Sequence, residues 1–335
     1  MEELSRVERA LARHTPGRAA FATLPAAWKR YFVPQRHADY SQTAHATWQR
    51  LLERTAELVH DLNPWLHDSY KEGFRRLILP WSRIPSLLEV SEALAEFGWC
   101  AACVDGYLPP NVYAGLLARG VFPVSRGIRQ PEHLDFSPMP DLAHDLLGHI
   151  PMLASPEHRQ FLRRLAAAMA NAKSSPLDHR LYLANRANAT LRCHPDCPPH
   201  KQAAAESRVR QIHRALGYKP SAFTELGRMY LWSIEFGLLG TADDFRVYGA
   251  GLLSSPTETR AVCTKRAPIV DLSLAAVRRD IHFSDLQSVY FVANDYAQLE
   301  GLLTSLQRRW SRRTHKGGST RHLVGPTVPA GYLSG

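Results

Sequence analysis

Residues 140–151 read Pro140-Asp141-Leu142-Ala143-His144-Asp145-Leu146-Leu147-Gly148-His149-Ile150-Pro151. Two histidines stand five positions apart. On a straight helix, positions four apart share a face, and a fifth residue is rotated away from it. Gly148 and Pro151 soften that objection, because they mark a helix that ends near His149 and lets its ring turn back toward His144. With 16 histidines in 335 residues, about 0.7 such pairs arise by chance. On spacing alone these are two unrelated histidines.

A carboxylate that changes this picture lies downstream, at Glu235 within Met229-Tyr230-Leu231-Trp232-Ser233-Ile234-Glu235-Phe236-Gly237-Leu238-Leu239. Burying a carboxylate in such apolar company is costly unless a cation or hydrogen-bond donors compensate it. One reading is a structural pairing with Arg228 or another arginine. The other is metal ligation, since two imidazoles and one carboxylate form the facial triad that holds non-haem Fe(II) with positions left open. From these residues alone the two readings stand level.

Around these segments, helical patterns dominate. Residues 43–60 place Trp48, Leu51, Leu52, Ala56 and Val59 near one face. Residues 85–97 start after Pro85 and close at Gly98. Residues 156–171 carry Pro156 and Glu157 in a first helical turn, and residues 221–239 read as one buried helix. Strand signals are short: Cys100–Val104 and residues 288–292. The expected fold is therefore mainly α with a little β. Residues 172–220 turn polar, with a helix expected over 202–216. That stretch reads as an elaboration on the core, too short and polar to bury a core of its own.

Composition narrows the class. The 335 residues are 45% apolar and 21% charged, enough for a large packed core and against wholesale disorder. There is no apolar leader and no run of about 18 apolar residues, so a membrane span is excluded and a cytoplasmic protein is expected. The net charge is +10. Arg308, Arg309, Arg312, Arg313, Lys316 and Arg321 form a basic run without an acidic residue. Such a run suits nucleic acid, but a solvated tail over 306–335 is the preferred reading. Five cysteines, an odd number, indicate free thiols. Cys193, His194, Cys197 and His200 hold part of a zinc pattern but lack its second half, and read as a Pro-rich loop.

The order of motifs resembles that of the pterin-dependent aromatic amino acid hydroxylases, the phenylalanine, tyrosine and tryptophan hydroxylases. Residues 140–151 are similar to the family's P-D-x-x-H-E-L-L-G-H-x-P, residues 234–238 (IEFGL) to V-E-F-G-L, and residues 248–255 (YGAGLLSS) to Y-G-A-G-L-L-S-S. His45-Ala46-Thr47-Trp48, Gly73-Phe74, Leu79-Pro80, Arg83-Ile84-Pro85 and Val90-Ser91 follow the family's upstream order. The resemblance runs from about residue 40 to about residue 300. It implies a helical basket around a non-haem iron, with an N-terminal arm over 1–39 and a catalytic domain over 40–305.

By that resemblance, His144, His149 and Glu235 would hold Fe(II), and a tetrahydropterin such as tetrahydrobiopterin would supply electrons for O2 chemistry on an aromatic ring. Gly106, Leu108, Tyr113 and Asp145 would meet the pterin, with Tyr113 stacking on it and Asp145 replacing the family's glutamate. Arg129 would grip the carboxylate of a free L-amino acid, with Ser137, Pro138, Pro140 and Leu231 on the substrate side. Ser254 belongs to the same side, hydrogen-bonded to the His144 ring. Departures bear on specificity. The pterin loop reads Tyr107-Leu108-Pro109-Pro110-Asn111-Val112-Tyr113, with prolines where the family has serines. Pro123 stands where a histidine is common, and Leu231 replaces a large aromatic residue, which opens space. The 86 positions from His149 to Glu235 exceed the family's spacing, and the added stretch is expected to pack over or beside the site.

The expected function is ring hydroxylation of phenylalanine, with tryptophan next, by a monomer, since the C-terminal segment lacks a long heptad pattern. The alternatives are a zinc-type hydrolase using the same three ligands and a basic helical protein that binds nucleic acid.

Overall fold

The amphipathic pattern of residues 43–60 becomes helix α1, Gln42–Asp61. In the computed structural model, residues 23–135, 140–192, 197–279, 281 and 286–316 are described, without the side chains of 313–316. The Ser41 hydroxyl caps α1 by accepting from the Ala44 N–H. Trp48, Leu51, Leu52 and Leu58 bury its inner face. Helix α2, Asp68–Arg76, follows. Helix α3, Leu87–Ala95, opens on a reciprocal Ser86–Glu89 capping box, and the chain reverses at Gly98, whose φ is +71°.

Strand β1, Cys100–Val104, helix α4, Pro110–Leu117, and strand β2, Val121–Ser125, form one parallel β-α-β unit. Both strands are buried along their whole length. Then comes α5, a helix from Leu142 to Met152 whose middle turn, Asp145–His149, is π-helical. Helices α6, Pro156–Ala170, α7, Pro176–Arg192, α8, Pro199–Tyr218, and α9, Ala222–Tyr230, complete the helical layer. A second π turn, Leu231–Glu235, extends α9.

The chain then enters a four-stranded sheet of order β4-β3-β6-β5. Its strands are β3, Gly237–Gly240, β4, Phe245–Val247, β5, Ile269–Asp271, and β6, Tyr290–Ala293. Short helices α10, Ala250–Leu253, and α11, Pro256–Cys263, lie between β4 and β5, and α12, Tyr296–Lys316, follows β6. The fold is mainly α with a little β. Trp48, Tyr70, Trp99, Trp232, Tyr248 and Tyr290 are buried in its core. Among the described residues no helix is long and apolar enough to cross a membrane.

Three expectations are corrected. The apolar run 221–239 is not one helix: it ends at Glu235, and Gly237–Gly240 pairs as a central strand with β4 and β6. Residues 172–220 do bury a small core, because Ala184, Val209, Ile212 and Leu216 pack between α7 and α8. The expected flexible tail is helical as far as Lys316. Leu299, Leu303 and Leu306 anchor α12 in the core, and Arg309 and Trp310 both hydrogen bond to the buried Glu225 carboxylate. Residues 317–335, Cys193 and His194 lie outside the described residues. Cys197 and His200 are described, with the Cys197 thiol on the Pro198 carbonyl.

Candidate active site

The five-residue spacing of the histidines is resolved by the π turn rather than by a helix end. The Ile150 N–H bonds to the Asp145 carbonyl, an i→i+5 link, so residues five apart return to one face and the helix runs on to Met152. The carbonyl of Leu147 accepts the Tyr70 hydroxyl at 2.8 Å, which satisfies a group inside this irregular turn. Glu235 ends the second π turn, where the Phe236 N–H reaches the Leu231 carbonyl at 2.9 Å. The two turns aim at one another across a close backbone contact. A Cβ on Gly148 would lie 2.5 Å from the Ala250 oxygen, and one on Gly249 would lie 2.5 Å from the Glu235 oxygen.

Side chains converge accordingly. His144 Nε2 lies 3.1 Å from His149 Nε2 and 3.4 Å from Glu235 Oε2, and His149 Nε2 lies 3.1 Å from Glu235 Oε1. Ligands about 2.1 Å from a small cation are about 3.0 Å apart at adjacent octahedral positions and about 3.4 Å apart in a tetrahedron. The imidazole nitrogens thus lie at such a spacing from one another and each from one Glu235 oxygen, and one ligand atom from each residue falls within 4.8 Å of the others. Ser254 fixes the tautomer. Its hydroxyl donates to the Ala250 carbonyl at 2.8 Å and so accepts from His144 Nδ1 at 2.8 Å. That leaves the Nε2 lone pair facing the other two ligands.

Electrostatics agree with cation binding. Burial opposes ionisation of Glu235, but His149 and His144 outweigh it and hold the carboxyl well below the usual range. Burial lowers the basicity of His144, yet Glu235 leaves it net raised, whereas burial dominates at His149 and leaves it lowered. Glu235 is thus held as an anion facing both imidazoles. The same arrangement fits a ferrous ion, with two neutral imidazoles and one carboxylate as donors.

The triad opens into a cavity of about 710 Å³. Gly106, Leu108, Tyr113 and Asp145 line it on the side of the β1–α4 loop, and Arg129, Pro140, Leu231 and Ser254 line it elsewhere. Ser137 and Pro138 lie outside the described residues. Asp145 accepts the Ser125 N–H at 2.8 Å, and burial pushes its carboxyl up to about 7. The Tyr113 hydroxyl meets that of Tyr230 at 2.8 Å. Burial raises both phenols well above their ordinary range.

Arg129 is held in a fork. Its Nε and Nη2 donate to the two oxygens of Asp141 at 2.9 and 2.8 Å, and its backbone N–H adds a third bond to Asp141 at 2.8 Å. Asp141 also caps α5 through the His144 N–H. The Nε edge of the guanidinium is thereby committed, and the opposite edge carries the remaining donors. Asp141 and Tyr230 were not singled out from sequence as site residues. The aspartate was discoverable, since a helix-capping Asp three residues before a buried helical turn needs a cation once it is itself buried. Tyr230 carries no such signal.

The family model for biopterin-dependent aromatic amino acid hydroxylases matches residues 12–181 and 204–316. Phenylalanine-4-hydroxylase of Caulobacter vibrioides is 29% identical over 279 residues, covering 82% of this chain and 79% of that protein. Tryptophan 5-hydroxylase of Xenopus laevis is 25% identical, covering 84% of this chain and 49% of that longer protein. A crystal structure of Chromobacterium violaceum phenylalanine hydroxylase with bound iron(III) and 7,8-dihydrobiopterin superposes with a TM-score of 0.65 at 26% identity. It covers 89% of this chain and 92% of that one. The chain belongs to the biopterin-dependent aromatic amino acid hydroxylases.

Proposed function

We propose that this protein hydroxylates the aromatic ring of a free L-amino acid, phenylalanine first and tryptophan next, with iron held by His144, His149 and Glu235. The observation that carries the reading is the convergence of the two imidazole Nε2 atoms and the Glu235 carboxylate, with contacts of 3.1–3.4 Å, at one wall of the large cavity. Bound there, ferrous iron and a tetrahydropterin supply the electrons that activate dioxygen for attack on the ring. The chain's own residues position the reactants. Ser254 orients His144 through Nδ1. Arg129, steadied by Asp141, offers its remaining guanidinium edge to the substrate carboxylate. Tyr113 and the Gly106–Leu108 segment wall the pterin side. Leu231 leaves room for a wide ring at the start of the second π turn. A monomer is supported by α12, which spends Leu299, Leu303 and Leu306 on the core of its own chain.

The test is incubation of iron-loaded protein with tetrahydropterin, oxygen and a panel of aromatic amino acids, with products identified by mass and NMR. A product heavier by one oxygen, formed from phenylalanine or tryptophan and absent with Glu235→Ala, is expected. Failure of every amino acid on the panel would overturn the substrate assignment.

A further inference from the structure

One wall of the cavity lies largely outside the family match. The family match passes from residue 181 to residue 204, yet the skipped stretch contributes Tyr182, Asn185, Asn188 and Arg192 to the cavity lining. These positions advance by three or four residues and so form one face of α7. From α8, Val209, Arg210 and His213 join them. The pair of helices is fixed in place rather than loosely appended. Its own apolar cluster holds α7 to α8, Asp178 accepts the Thr224 hydroxyl at the start of α9, and the Tyr182 hydroxyl donates to the Tyr107 carbonyl at 3.3 Å.

This face is polar where the facing loop has lost polar groups. Pro109 and Pro110 bring no N–H donor to the β1–α4 loop, and α7 sets two amide side chains into the same cavity. The Asn188 amide oxygen is buried without a hydrogen-bond partner. Such an atom is costly until a donor reaches it, and an amide whose oxygen is not anchored can turn toward a ligand.

We infer that Asn188, supported by Asn185, is a specificity-determining residue that hydrogen bonds an O–H or N–H group on the bound molecule. The inference rests on the proposed function. Two molecules can bring that group: the pterin, through hydroxyls on its side chain, or the amino acid, through a ring hydroxyl or indole N–H.

The experiment uses the full-length protein and the variants Asn188→Leu and Asn188→Asp, the second of which keeps an acceptor. Equilibrium binding of 7,8-dihydrobiopterin and of 6-methyl-7,8-dihydropterin, which lacks the side-chain hydroxyls, is measured by calorimetry. KM and kcat are measured for phenylalanine, tyrosine and tryptophan. Loss of one hydrogen bond should weaken the donor-bearing member of a pair by about tenfold. Its donor-free counterpart should stay within about twofold, and Asn188→Asp should retain the discrimination. Selective loss of dihydrobiopterin assigns the group to the pterin. A rise in KM for tryptophan or tyrosine but not phenylalanine, with kcat kept, assigns it to the ring. Equal weakening of both members of each pair, or of neither, would overturn the inference and leave Asn188 a packing residue. A wild-type protein that binds no pterin and oxidises no ring would instead remove the reading of function beneath it.

Discussion

Ser254 and Gly148 show how much of the site depends on residues that are not themselves metal ligands. Without the Ser254 hydroxyl, His144 Nδ1 loses its acceptor and the ring is free to rotate or change tautomer. Ser254→Ala should therefore lower iron affinity by about 10- to 100-fold, measured by competition with a chelator of known strength, while far-ultraviolet dichroism stays unchanged. Wild-type affinity in that variant would show that the ring is oriented by packing alone. Gly148→Ala is a steric test. The added methyl would sit 2.5 Å from the Ala250 oxygen, forcing α5 away from α10 and parting His149 from the other ligands. A loss of about 1–3 kcal/mol in urea unfolding, together with lost metal binding, is expected. At this scale the two histidines and Glu235 were visible as residue types, but not their meeting. The residues alone left the triad level with a structural pairing of Glu235, and the ordered family motifs decided for the triad, because no local spacing relates positions 149 and 235.

Among the elements, those with an amphipathic period or terminal proline and glycine signals were legible: α1 by its apolar face, α3 by Pro85 and Gly98, and α6 by Pro156 and Glu157. The π turns were not, because an extra residue in a helical turn leaves the composition unchanged while altering which side chains share a face. The same turn explains why the helix appeared to end at His149. Strand β3 was hidden in an apolar run that periodicity cannot divide into helix and strand. Element packing also sets a pH response at His158 on α6. Its ring bonds the Tyr296 hydroxyl of α12 at 3.0 Å and packs edge-on against Tyr248. Burial, with added contributions from neighbouring His149, His67 and Arg159, pushes its pKa down to about 3. The unfolded chain protonates this imidazole near 6.5 and the folded one only near 3, so its contribution to stability is complete above pH 6.5 and falls as pH drops toward 3. His158→Gln should flatten the loss of melting temperature between pH 7 and pH 5. An identical slope in both proteins would place the pH response on other groups.

Across the whole molecule, the site ties together parts of the chain that helical packing alone leaves distinct. His144 and His149 belong to α5, whereas Glu235 ends the helical layer where the chain enters the central sheet. A cation bound to all three therefore links the helical layer to the sheet, and an unfolded chain cannot offer this arrangement. Metal that binds only the folded state stabilises it by mass action, by about 2.7 kcal/mol at a hundredfold excess over Kd. Scanning calorimetry of the metal-free protein with rising Fe(II), under anaerobic conditions, should show a melting temperature that climbs with ferrous concentration. His144→Ala and Glu235→Ala should lose most of that climb without losing the fold, because each removes a ligand while leaving Trp48, Trp99 and Trp232 packed as before. Glu235→Ala also leaves two buried imidazoles without their anionic partner, so its metal-free melting temperature should lie below that of the wild type. If the variants climbed as steeply as the wild type, the stabilising metal would have to sit elsewhere, and the triad would be an ion pair between a carboxylate and an imidazolium.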